Sequence, residues 1–157
     1  GMNGIDAKLF DVAPLDEKYG YVGEPIDINT SVFDKVTDQF IPVIASIGMN
    51  QATSQLYNIN ADTLAYKIAQ ALNAPLYLLS DIPGVLIDKK VQSTLNAERI
   101  QCFIDEELIY GGMIPKVQDA IQAIELGCQK VVIAAGSESH IIQKLQDGEN
   151  VGTTIQQ

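Results

Sequence analysis

The chain has 157 residues, a formal net charge of −10 and 46% hydrophobic residues. That length fits one globular domain of roughly 100–200 residues, and no apolar run approaches the ~20 residues of a membrane-spanning helix. The acidity argues against nucleic acid and anionic membranes as partners, while a few local donors could still hold one phosphate-bearing ligand.

The first residues lack the basic patch and apolar stretch of a signal peptide, so a cytoplasmic location is expected. Gly1 before Met2 reads as a scar of tag removal, with Met2 as the natural start and a short gene product. Cys102 and Cys128 match no metal spacing and are expected as core filler or free thiols. A single histidine cannot by itself build a zinc site, and no metal-ligating set is expected.

Residues 1–29 carry Pro14, Gly20, Gly23 and Pro25 and read as irregular, with a short extended piece at Tyr19–Val22. Asn29 and Thr30 are plausible caps for a helix that puts Val32, Phe33 and Val36 on one face. Phe40–Ile47 is β-branched and nearly continuously apolar, the pattern of a strand covered on both faces. Polar residues 48–55 read as a turn. Asn60 is the expected cap of a second helix, with Leu64, Ala65, Ile68, Ala69 and Leu72 on one stripe.

Leu76–Leu79 reads as a second buried strand, followed by Ser80–Gly84 at its carboxyl end. Asn96–Leu108 is amphipathic through Ile100, Phe103, Ile104 and Leu108. Gly111 and Gly112 break it, and Ile114–Leu126 is helical again. Val131–Ala135 is a third buried strand. A short helix with Ile141, Ile142 and Leu145 follows, and Gly152–Ile155 adds a last strand. Apolar strands alternating with amphipathic helices imply an α/β fold, a mainly parallel sheet with helices on both faces. Ligands of such sheets sit beyond the carboxyl ends of the strands.

Four segments fall there. In Gly111-Gly112-Met113-Ile114-Pro115-Lys116 the glycines let a ligand approach the backbone, and Pro115 is tolerated in a first helical turn. A lysine near a helix start faces the positive end of the dipole unless an anion reverses the sign. Lys116 is therefore either an anion ligand or a solvated lysine after an ordinary turn. Asn58 and Asp62 flank a helix start and either serve that start or point past the sheet edge towards a ligand. Ser80 and Asp81 end a strand, where Asp81 is either a turn residue or a ligand contact. His140, early in the last helix, reads as structural or merely exposed.

Together these pieces resemble the acetylglutamate kinases, a branch of the amino-acid kinase family. The resemblance rests on GYVGE (Gly20–Glu24), IPVIASIG (Ile41–Gly48), YNINADTLAYKIAQAL (Tyr57–Leu72), LLSDIPGVL (Leu78–Leu86), GGMIPKV (Gly111–Val117) and VGTTI (Val151–Ile155), in family order from about Gly20 to the end. It implies a three-layer α/β/α sandwich, amino-acid (carbamate) kinase-like. It also implies transfer of the ATP γ-phosphoryl group, with Mg²⁺, to the side-chain carboxylate of N-acetyl-L-glutamate in arginine biosynthesis.

By the same resemblance Lys116 stabilises the transferring phosphoryl group and Asp62 organises catalytic lysines. Asn58 touches the amino-acid substrate, and Ser80, Asp81, Gly84, Gly111 and Gly112 belong to the ATP-binding part. The family's N-terminal half carries a first catalytic lysine, glycine-rich phosphate loops and an arginine for the substrate carboxylate; none of these is recognised here, and residues 1–19 show no clear family counterpart. Two functions follow as alternatives. One is a kinase not competent as this chain alone. The other is a non-catalytic remnant that binds nucleotide or self-associates through an exposed apolar sheet edge; a homo-oligomer is expected.

Overall fold

The computed structural model describes residues 1–156. Its backbone gathers into two units, Gly1–Leu72 and the stretch from Asn73 onward.

In the first unit, β1 (Asp11–Pro14) and β2 (Gly23–Ile26) form an antiparallel pair with Val12 opposite Pro25. Then come α1 (Thr30–Val36), β3 (Ile47–Met49), β4 (Leu56–Asn58) and α2 (Ala61–Ala71). The sheet order is β2-β1-β3-β4, with β1 parallel to β3 and β3 antiparallel to β4. The β1–β2 pair corrects the irregular reading of residues 1–29. The extended piece is Gly23–Ile26 rather than Tyr19–Val22, and Tyr19 instead closes a 3-10 turn, Glu17–Tyr19. Pro14 and Pro25 hid the pair. Proline is tolerated where no ladder N–H is needed, and β2 lies at the end of the strand order.

Val32 and Phe33 of α1 are buried in one core with Leu9, Phe10, Val12, Ile59 and Leu64, and Val36 packs against it. Asn50 holds the turn between β3 and β4. Its Oδ1 accepts from the Thr53 N–H at 2.9 Å, and its Nδ2 donates to the Val12 carbonyl at 2.8 Å. Asn60 caps α2 as expected, its Oδ1 accepting from the Thr63 N–H at 3.1 Å. α2 buries Leu64, Tyr66 and Ala69, whereas Leu72 stands exposed just past its end.

The expected buried strand Phe40–Ile47 does not form as such. Only Ile47 enters a strand, Ile44 makes one parallel bridge with Met2, and Phe40, Ile41 and Val43 are 67%, 92% and 69% exposed. A continuous apolar run signals a covered strand only where neighbours exist to cover it. In this unit Met2–Gly4 lines one side of the run and Asn58–Ile59 reaches Ser46 and Ile47 on the other, while among the described residues no strand backbone pairs with Ile41 or Pro42.

The second unit contains β5 (Leu76–Ser80), β6 (Leu86–Ile87), β7 (Lys90–Val91), β8 (Thr94–Leu95), α3 (Ala97–Asp105), α4 (Met113–Glu125), β9 (Val131–Ala135), α5 (Ile141–Gln146) and β10 (Thr153–Ile155). Its main sheet runs β5-β9-β10-β8, with β5 and β9 parallel, β9 and β10 antiparallel, and β8 and β10 parallel. The class is α/β, and the ladders of both units mix parallel with antiparallel pairs.

β9 explains its own apolar sequence. Val132 and Ala134 pack with Ile141 and Leu145 of α5. Val131 and Ile133 alternate onto the other face, and α4 packs on β9 and β10. β5, by contrast, sits at the end of the strand order. Leu78 is buried but Leu79 is exposed, so the two-sided burial expected for Leu76–Leu79 is not met. No described helix is long and apolar enough to cross a membrane.

Candidate functional site

The carboxyl ends of β5 and β9 lie level in the second unit. Ser80 pairs with Ala135, and the Gly136 N–H donates to the Ser80 carbonyl at 2.8 Å. Ser80 Oγ donates to Asp81 Oδ1 at 3.0 Å, at the point where the chain leaves the sheet. Ser80 is half-buried and Asp81 exposed.

Gly84 then turns with φ +143°, a conformation that disfavours any side chain. A Cβ at Gly84 would lie 2.7 Å from Thr153 Oγ1 and 3.0 Å from Val91 Cγ1. Immediately after it, the buried Val85 N–H donates to Thr153 Oγ1 at 2.8 Å. The turn is thus bolted to the last strand.

Opposite this turn stands the start of α4. Gly111 has φ +58°, and a Cβ on Gly111 or Gly112 would meet nothing within 4 Å. Gly112 is the N-cap of a thirteen-residue helix and supplies no side-chain cap, while the Met113 and Ile114 N–H groups donate to the Tyr110 and Gly111 carbonyls at 3.4 and 3.2 Å. What the helix start presents is the positive end of its dipole. Lys116 is the fourth residue of that helix and half-buried.

Between the two segments lies a cleft of about 220 Å³. It is lined by Ile82, Gly84 and Leu86 on one side and Leu108, Ile109, Tyr110 and Met113 on the other. A mainly apolar cleft with one aromatic ring and the positive end of a helix dipole beside it suits a flat ring carrying an anionic tail.

Sequence reading had Gly84 and the Gly111–Lys116 turn but missed the apolar lining. Tyr110, an exposed aromatic directly before the two glycines, was the signal available for it. Thr153 was noted only within VGTTI, and its role follows from a contact 68 residues away in the chain.

In the first unit, Asn58 is exposed at the end of β4. Its N–H donates to the Tyr21 carbonyl at 2.9 Å. Asp62 lies in the first turn of α2, where a carboxylate is favoured by the helix dipole. Asn60 is accounted for by capping, and Ile59 between them is buried.

Neither thiol behaves as an activated nucleophile. Burial pushes the Cys128 pKa up, and its Sγ donates to the Ala74 carbonyl at 3.1 Å. The hydrogen bond from Cys102 to Glu106 pushes that thiol up too. His140 is exposed, with φ +59°, directly before α5. Among the described residues no group of three or more His, Cys, Asp or Glu side chains is placed to hold a metal ion.

The profile of the amino acid kinase family matches residues 1–135, which takes in the first nineteen residues. The chain is 70% identical over 155 residues to a protein of Staphylococcus saprophyticus named acetylglutamate kinase, covering 99% of this chain and 61% of that one. A Staphylococcus aureus protein of the same name is 49% identical over the same coverage. The crystal structure of smu.665 from Streptococcus mutans superposes with a TM-score of 0.76 at 32% identity, over 94% of this chain and 56% of that one. The chain thus spans 61% of the length of the curated relatives it matches.

Proposed function

Because the chain belongs to the amino acid kinase family, we propose that it is the nucleotide-holding part of an acetylglutamate kinase. It binds ATP with Mg²⁺. With the further polypeptide that its relatives carry, it transfers the γ-phosphoryl group to the side-chain carboxylate of N-acetyl-L-glutamate. One observation carries this reading: the cleft bounded by the Gly84 turn and Tyr110 opens beside the positive end of α4, one turn before Lys116.

In this reading the adenine ring enters the apolar cleft. The phosphates lie against the Gly111–Gly112 backbone and the first turn of α4. Ser80 and Asp81 offer polar groups at the strand end. Mg²⁺, when bound, neutralises phosphate oxygens. That ion keeps several waters and takes few protein ligands.

The chemistry asks little of the protein beyond charge and position. A side-chain carboxylate with a pKa of about 4.3 is ionised near neutrality and needs no general base. The barrier is its repulsion from the triphosphate, and catalysis of phosphoryl transfer is mostly positioning and electrostatics. Lys116 supplies positive charge to the transferring group. Asp62 is a fixed anion that orients lysines rather than a proton acceptor, and Asn58 contacts the amino-acid substrate.

A coupled assay with ATP, Mg²⁺ and N-acetylglutamate tests the reading. The chain alone should turn over negligibly. Addition of the remaining 39% or so of the relative's polypeptide should restore phosphoryl transfer. No turnover from the folded, reconstituted pair would sink the kinase assignment. Self-association and a cytoplasmic location belong to the same proposal.

A further inference from the structure

Phe40, Ile41 and Val43 expose three large apolar side chains around Pro42. Scattered single exposures are ordinary, whereas a contiguous patch marks a contact surface. The backbone beside this patch is a ladder begun and then broken off. The Met2 N–H donates to the Val43 carbonyl at 2.8 Å, and the Ala45 N–H donates to the Met2 carbonyl at 2.8 Å. These two bonds make Met2 the parallel partner of Ile44. The Gly4 N–H extends the contact by donating to the Ile47 carbonyl at 2.9 Å.

Successive residues of a strand turn their backbone groups to alternate sides. The side that faces Met2 therefore carries the groups of Ala45, Val43 and Ile41. Pro42, which lacks an N–H, directs its backbone to the other side and does not interrupt this edge. Among the described residues, the Val43 N–H donates to no group and the Ile41 carbonyl accepts from none. One more residue in line, two positions before Met2, would bond both: its N–H to the Ile41 carbonyl, its carbonyl to the Val43 N–H.

We propose that Phe40–Val43 is the docking edge for an apolar β-strand that runs parallel to it, in line with Met2–Gly4. The strand is supplied by the polypeptide that the relatives carry outside the matched 155 residues. Backbone pairing sets its register, and Phe40, Ile41 and Val43 give it an apolar surface to cover. This is strand addition to an exposed sheet edge, in which main-chain bonds supply affinity and alternate side chains supply specificity.

The test is hydrogen exchange at the Val43 amide. The chain is measured alone at several concentrations, then mixed with the separately produced remainder of the S. saprophyticus relative, then fused to that remainder ahead of Gly1. In the mixture or the fusion the Val43 amide should exchange slower by about 100-fold, as a ladder amide does. Ile41→Lys should weaken association by at least about 10-fold. It should leave the melting of the isolated chain unchanged, since Ile41 is 92% exposed.

A Val43 amide that exchanges equally fast alone and in the fusion overturns the proposal. So does full protection reached by concentrating the chain alone, which would assign the edge to a second copy. Neither result bears on nucleotide binding, which concerns a cleft in the other unit.

Discussion

Thr153→Val isolates one hydrogen bond at the candidate site. Thr153 is fully buried, the single buried polar side chain among the described residues, and its Oγ1 accepts from the Val85 N–H at 2.8 Å. Valine has nearly the same shape and no acceptor. The substitution therefore leaves the buried Val85 N–H unpaired, at a cost of about 1–3 kcal/mol. For a chain of this size that corresponds to a melting temperature lower by about 2–12 °C. Thr153→Ser keeps the acceptor and deletes one buried methyl, costing about 1 kcal/mol. The assay is urea unfolding followed from the second unit, with exchange at the Val85 amide as the local readout. Valine should speed that exchange and serine should not. A Thr153→Val protein within about 0.5 kcal/mol of the parent, with Val85 still protected, would show that the Thr153 hydroxyl does not hold the Gly84 turn.

Gly84→Ala should destabilise the same turn by at least about 1–3 kcal/mol, because φ +143° and the 2.7 Å approach to Thr153 Oγ1 both oppose a Cβ. Calorimetry should show weakened nucleotide binding in parallel. The thiols predict a pH dependence. Both have pKa values raised above the ordinary 9.0 in the folded chain, so the folded state holds its thiol protons longer than the unfolded one. Their contribution to stability is complete below about pH 9 and is lost as pH rises from there through the folded values. Alkylation near pH 7.5 should be slow at exposed Cys102 and accelerate above pH 9, while Cys128 should react only on unfolding; mass spectrometry after timed quenching reads both.

The parts of the fold legible in sequence are those where a local rule and the tertiary environment agree. Asn60 with the α2 stripe and Val131–Ala135 are examples. The β1–β2 pair was hidden by prolines that sit where no ladder N–H is needed. The β6–β7 ribbon was missed because its turn residues, Asp88 and Lys89, take positive φ without glycine. Phe40–Ile47 misled in the opposite direction, since its apolarity reports a burial that this chain does not itself provide. At the site, the Gly-Gly turn and Lys116 carry a visible motif. Ile82, Leu108 and Ile109 look like ordinary core residues until the loops bring them to one cleft. The hold of Thr153 on the Gly84 turn is a long-range contact with no local signature.

The proposed function requires this chain to hold a nucleotide at the α4 end of the second unit. Titration calorimetry of Mg²⁺·ATP into the purified chain measures it directly. One site per chain is expected, weakened about 10-fold or more when Lys116→Ala removes the charge near the helix start, and unaffected by Ile41→Lys. Absence of binding at millimolar nucleotide, or binding indifferent to Lys116→Ala, would contradict it.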